Sequence, residues 1–284
     1  MNSEILMVSA GKFHFENFHY GLVLPMILVL LCILSNPIFS QYDLQWNEFY
    51  GGDNFDELLS VIEVEDGLVY GGSAGQSIAT IGDPPQTVGD TDYWIYKTDY
   101  DGNIIWSYTY GGFGADVLQT LIRTQDGGFA AVGFSFSDIG GFKSQNSRGD
   151  RDVWVVKLNQ DGLFEWDATF GGDLEDFPAT IIQAQDGSYY FGGFTDSALS
   201  GEVSFPSRGG ISDIWLAHIS STGGLLYDRR FGGIMDDKLF DLVQLSNGDI
   251  LIAGLSDSDI GGEKSENSYG GQDAWIIKIG RAHV

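Results

Sequence analysis

Carboxylates are the side chains of this chain whose spacing invites chemistry. Asp56, Asp116, Asp176 and Asp237 each stand four residues after a glycine pair, and Asp92, Asp152, Asp213 and Asp273 each stand two before a tryptophan, Trp94, Trp154, Trp215 and Trp275. Carboxylates can ligate calcium, or work in pairs as acid and base in glycoside hydrolysis. A residue that recurs at one place in every repeat is read first as architecture: such aspartates accept backbone N–H bonds in turns and cap loops. Other catalytic types are scarce. Of the histidines, His14 and His19 lie near the N-terminus, His283 in the last residues, and His218 in a column that is otherwise Lys97, Lys157 and Lys278. With Cys32 as the one cysteine, there is no set for a catalytic triad, a histidine-rich zinc site or a thiol nucleophile. "DYDGN" (99–103) and "NQDGL" (159–163) open like calcium loops, yet lack the glutamate that completes an EF-hand. No catalytic or metal residue is assigned, and calcium is the one cofactor left open.

The carboxylates are also the main charge. Against 14 Lys and Arg stand 40 Asp and Glu, a formal charge of −26, which repels nucleic acid and anionic lipid and attracts cations. The apolar run "GLVLPMILVLLCIL" (21–34) reads as the core of a secretory signal peptide covering residues 1–40, with cleavage after Ser40. The expected product is secreted or displayed at the cell surface, has no cysteine and contacts no membrane. Without disulfides it needs an ordinary hydrophobic core.

Glycine pairs at 51–52, 111–112, 171–172 and 232–233 mark a period of 60 or 61 residues, and four repeats are visible. One period reads as four β-strands, "LLSVIEVE", "GLVYGGS", "DYWIYKTD" and "NIIWSYTYGG", joined in part by Asp-Gly or Asn-Gly turns that favour antiparallel hairpins. All seven tryptophans fall in two columns and are read as core between neighbouring units. The expectation is an all-β fold, a β-propeller of four-stranded antiparallel blades of about 60 residues, with blade periods starting near 46, 106, 166 and 227 and filling residues 41–279. "LQWNEFYGG" (44–52) is expected to supply the fourth strand of the last blade and close the ring. Residues 280–284 belong to "IGRAHV", which breaks the repeat and is read as a non-native tail on a truncated frame.

"TYGGFGADVLQTLIRTQDGGFAAVGFSFSD", followed by "RDVWVVKLNQDG", resembles the SBBP-type bacterial β-propeller repeat. The resemblance implies a secreted or surface protein of Bacteroidota type, of the kind often exported by the type IX secretion system, and implies no particular activity. The residues after the repeats, 280–284, are not expected to form a C-terminal sorting domain.

The surplus length of each repeat lies between its second and third strands, in segments 73–91, 135–151, 195–212 and 256–272. These are expected to emerge at the same end as the glycine pairs and to carry function, as loops on rigid scaffolds do. Two of them are near twins, "FSFSDIGGFKSQNSRGDRDVWVVK" (134–157) and "LSDSDIGGEKSENSYGGQDAWIIK" (255–278), which offer Lys143, Asn146, Arg148, Lys264, Asn267 and Tyr269 for binding. The functional expectation is a binding or adhesion module that presents these loops to a glycan or protein partner. Two alternatives stand beside it: an extracellular carbohydrate-active hydrolase or lyase with carboxylates at the propeller mouth, and a structural spacer in a larger surface protein.

Overall fold

The computed structural model describes residues 43–76 and 86–280. The expected signal peptide, most of the tail and residues 77–85 of the first long segment lie outside the described residues. The chain divides into two units, residues 1–47 and 48–284, and the second carries the strands.

The second unit is all-β, with four antiparallel sheets in repeats of about 60 residues. Sheet 1 is β1 (Asp56–Val64), β2 (Gly67–Gly75), β3 (Thr91–Thr98) and β4 (Ile104–Tyr110). Sheet 2 is β5 (Asp116–Arg123), β6 (Phe129–Ser135), β7 (Asp152–Leu158) and β8 (Phe164–Phe170). Sheet 3 is β9 (Asp176–Gln183), β10 (Tyr189–Thr195), β11 (Asp213–Ile219) and β12 (Leu225–Phe231). Sheet 4 has three strands only, β13 (Asp237–Gln244), β14 (Ile250–Ser256) and β15 (Asp273–Ile279). Each strand pairs with the next in sequence, so each repeat is a plain meander.

Neighbouring sheets pack face to face, β2 on β5, β6 on β9 and β10 on β13, with the four first strands adjacent in series. Apolar side chains fill each junction: Ile95 with Leu118 and Leu121, Val155 with Ile181, Leu216 with Leu239 and Leu242. The third-strand tryptophans Trp94, Trp154 and Trp215 are fully buried, in keeping with the large area an indole removes from water.

The first strand bulges in each repeat, opposite or beside one glycine: Gly72, Gly133, Gly193 or Gly254. The bulge brings a carbonyl so close that a Cβ would lie 1.8 to 2.1 Å from it. Only glycine fits, which explains why the second apolar run of every period carries one at that place.

The expected N-terminal strand is absent. Residues 43–55 form no strand, so sheet 4 lacks its fourth strand and the expected four-stranded unit is found three times out of four. Tyr50, at the end of this segment, donates its hydroxyl to the Gly102 carbonyl of sheet 1 at 2.5 Å. This end of the segment is held by sheet 1, whose first strand is not stacked on sheet 4.

Substituting Gly133→Ala pushes a methyl to within 2.0 Å of the Val117 carbonyl and 2.6 Å of the Tyr93 hydroxyl. The expected cost is about 1–3 kcal/mol, or a fall in Tm of roughly 2–4 °C per kcal/mol. Calorimetry that found Tm unchanged would remove the bulge from the account of this column.

Candidate functional site

The long segments between second and third strands converge with the glycine pairs at one end of the sheets. Phe142, Glu202 and Glu263 donate their backbone N–H to the carbonyls of Gly111, Gly171 and Gly232. The last three loops also grip one another: Arg148 pairs with Glu202 at 2.7 Å and Arg208 with Glu263 at 2.5 Å. Both glutamates accept a second bond, from the N–H of Gly171 and of Gly232 at 3.3 Å.

The recurring aspartates build this end from within. Asp56, Asp116, Asp176 and Asp237 accept the N–H of Gly52, Gly112, Gly172 and Gly233 at 2.6 to 2.7 Å. Asp92, Asp152, Asp213 and Asp273 accept the N–H of Val88, Arg148, Arg208 and Tyr269 at 2.5 to 2.9 Å. Ser137, Ser197 and Ser258 donate their hydroxyls to Asp116, Asp176 and Asp237 at 2.8 to 2.9 Å.

These carboxylates meet in pairs. Asp92 with Asp116, Asp152 with Asp176, and Asp213 with Asp237 each bring an oxygen within 3.0 Å of one point beside Gly111, Gly171 or Gly232. All six are fully buried, and each keeps one oxygen without a hydrogen-bond partner. Taking like charges out of water favours their protonated forms. Burial pushes Asp92 and Asp176 up to about 6 and raises Asp116, Asp152 and Asp213. In sheet 4 Asp273 is only partly buried, and the Ser268 hydroxyl and Tyr269 N–H hold it below the ordinary range.

A buried cation accompanies the pairs, and two repeats supply it from different elements. In repeat 2 it is Lys143, whose ammonium donates to Thr169 of β8 at 2.8 Å; burial pushes it down to about 8 against the pull of Asp116 and Asp152. In repeat 3 the loop residue is Val203 and the strand residue is Arg230, which pairs with Asp213 at 2.9 Å with both side chains fully buried. Its guanidinium also donates to the carbonyls of Ser197, Phe205 and Thr195.

Among the residues singled out for binding, Lys143 is therefore buried. Asn146 and Asn267 accept the N–H of Ile139 and Ile260 and so close their own loops. Arg148 is held by Glu202, and Lys264 by Ser256 and Ser258. Tyr269 is exposed, its hydroxyl 3.5 Å from Glu266. What the loops present is apolar. Phe113, Leu174 and Ile234 follow the glycine pairs and Ile139, Leu199 and Ile260 lie in the long loops, and all six are exposed. The signal was available as one apolar column, Ile139, Leu199 and Ile260, inside polar segments.

Among the described residues no cluster of three or more His, Cys, Asp or Glu is arranged to hold a metal ion. A cavity of about 420 Å³ lies at the opposite, hairpin end among Asp66, Lys97, Arg123, Phe129 and Asp161, where Lys97 is bound to Asp66 at 2.6 Å.

No family model matches the chain. The chain is 25% identical over 179 residues to the regulatory protein FlaEY of Caulobacter vibrioides, a match that covers 60% of this chain and 18% of that protein. The chain thus spans less than a fifth of that relative's length.

An aspartate raised in the folded state binds its proton more readily folded than unfolded. Its stability contribution is complete below pH 3.8 and is lost as pH rises through about 6. Between pH 4.5 and 7.5 the opposing groups are few: His218 is lowered by burial, and Asp126, at about 2, matters only in stronger acid. The Tm is expected to be higher at pH 5 than at pH 7.5, by roughly 5 °C. A Tm that falls on acidification across that range contradicts the buried pairs.

Proposed function

We propose that the chain is an arc of β-propeller that serves outside the cell as a protein-binding module, its long-loop end being the recognition surface. The exposed apolar pair repeated in three units carries this reading. Ile139, Leu199 and Ile260 stand in corresponding places of successive repeats, and beside each lies an exposed apolar residue after the glycine pair, Phe113, Leu174 or Ile234. Exposed apolar groups rimmed by polar loop residues mark interaction surfaces. Five of these six side chains are aliphatic, which favours a peptide or protein over a glycan, for which more free polar groups would be wanted. The polar groups of the loops are largely occupied in holding the loops themselves.

The sheet order, the series of adjacent first strands and the SBBP-like spacing support the propeller reading. The apolar run at 21–34 supports export, and with the SBBP-like repeats a Bacteroidota-type surface protein. Calcium enters this reading only as a diffuse counterion of an acidic surface with formal charge −26. The paired aspartates, buried and engaged with backbone, lend no support to a hydrolase or lyase.

Peptide selection on the purified chain, run beside a glycan array, tests the proposal. Selected peptides are expected to be rich in apolar residues, and the triple variant Ile139→Ser, Leu199→Ser, Ile260→Ser to weaken them at least tenfold, or about 1.4 kcal/mol, with an unchanged Tm. Binding of glycans alone, indifferent to that variant, overturns it.

A further inference from the structure

Successive sheets are also tied together at the hairpin end, by the side chain that closes a first strand. Gln183, the last residue of β9, accepts the N–H of Gln125 at 2.7 Å, and Gln244, the last of β13, accepts that of Gln185 at 2.9 Å. Gln183 also donates to the Gly187 carbonyl and the Tyr189 hydroxyl, both at 3.2 Å. Glutamine suits this place because its amide both accepts and donates. Sheet 2 has Arg123 there instead, the last residue of β5, with Glu65 of sheet 1 in the column of Gln125 and Gln185. A guanidinium carries N–H donors and no acceptor, so the Glu65 N–H lacks the bond that its two counterparts make. The turn differs as well. Two residues, Glu65 and Asp66, join β1 to β2, whereas five join β5 to β6, β9 to β10 and β13 to β14. The short turn and the missing glutamine leave the cavity of about 420 Å³ between sheets 1 and 2, a size shared with small-molecule sites.

The lining of this cavity selects by charge. Among the described residues Arg123 is the one Lys or Arg whose side chain has no hydrogen bond, ion pair or ring contact. Lys97 beside it is already neutralised by Asp66 at 2.6 Å. The other two carboxylates of the lining, Glu65 and Asp161, have side chains without a hydrogen bond or ion pair. Val64 and Phe129 give the cavity an apolar wall. A free guanidinium next to a free backbone N–H calls for a carboxylate, which arginine binds through two parallel bonds. Free carboxylates call for an ammonium. A ligand with an anionic group alone meets the repulsion of Glu65 and Asp161 within a chain of formal charge −26, and a ligand with a cationic group alone meets Arg123. A neutral zwitterion satisfies both sides.

We propose that the cavity between sheets 1 and 2 binds a zwitterion of the amino-acid type, a free amino acid or a short peptide with both ends free. The ligand carboxylate pairs with Arg123 and accepts the Glu65 N–H, its ammonium pairs with Asp161, and an apolar side chain rests on Val64 and Phe129. The carboxylate then does for sheets 1 and 2 what the amide oxygen of Gln183 does for sheets 2 and 3. One junction alone has this capacity, because Gln183 and Gln244 occupy the corresponding places in the next two. The site lies at the opposite end of the sheets from the long loops and is independent of recognition there.

Titration calorimetry on the full chain with L-leucine, L-phenylalanine and the dipeptide Leu-Leu tests this site. At least one of the three is expected to bind saturably, a single amino acid if the cavity takes the free form and the dipeptide if it takes peptide ends. Blocking either end of that probe, as its amide or its N-acetyl derivative, is expected to weaken it at least tenfold. Arg123→Gln installs the residue of the other junctions and is expected to abolish binding without lowering Tm. Asp161→Asn is expected to remove the preference for a free amine, so that the N-acetyl derivative binds as well as its parent. Binding by none of the three probes overturns the proposal. So does binding that Arg123→Gln leaves intact, or blocked derivatives that match their parent on the wild-type chain.

Discussion

Everything in this molecule depends on one repeated contact, the burial of a sheet face against the next sheet around a pair of carboxylates. The apolar part is ordinary: branched side chains of a third strand meet leucines or isoleucines of the following first strand. The polar part is not. Two aspartates at each junction lose their water, and an ionised carboxylate removed from water is costly unless it is compensated. The chain compensates with backbone N–H groups of the glycine-pair turn and of the long loop, with serine hydroxyls, and with a buried cation. Lys143 and Arg230 reach this role from opposite sides, one from a loop and one from a strand. Charge balance is therefore a property of the junction and not of any one column of the repeat.

Stability built from nearest-neighbour contacts makes the ends of an array different from its middle. Identical columns that are dry inside are wet at the ends, as Val61 and Ile276 show. Natural repeat arrays blunt such ends with polar caps, because an apolar face beside an unpaired strand edge invites further pairing. Asp273 marks the same asymmetry in electrostatic terms, since it is the third-strand aspartate without a partner junction and keeps its charge easily.

The strands and their order were legible because local physics fixes them: Asp-Gly and Asn-Gly turns, alternating apolar residues and a glycine at every bulge. The convergence of long loops and glycine pairs followed from meander topology. Two matters were not legible. Lys143 and Asn146 read as ligand-binding because lysine and asparagine in a polar loop usually face water, whereas here one reaches inward past the Trp154 ring and the other closes its own loop. Ring closure by residues 44–52 read as natural from the repeat count, but counting strands says nothing about the angle between sheets, which decides whether first and last can meet.

A loop whose polar groups are spent on itself and its neighbours recognises by shape. The Arg148–Glu202 and Arg208–Glu263 links tie successive loops into one continuous rim, and bonds to the glycine-pair carbonyls fix its height on the sheets. Such a surface loses little conformational freedom on binding, so even modest apolar contacts can register as affinity. Each repeat offers only a few exposed apolar side chains at this end, too few for tight binding alone. In the proposed binding role, three sets held in fixed relation would act on an extended partner as linked weak sites, and linkage multiplies affinity when spacing matches. The regularity that makes the repeats poor material for a unique catalytic centre is the property that suits them to repeated, shape-based contact.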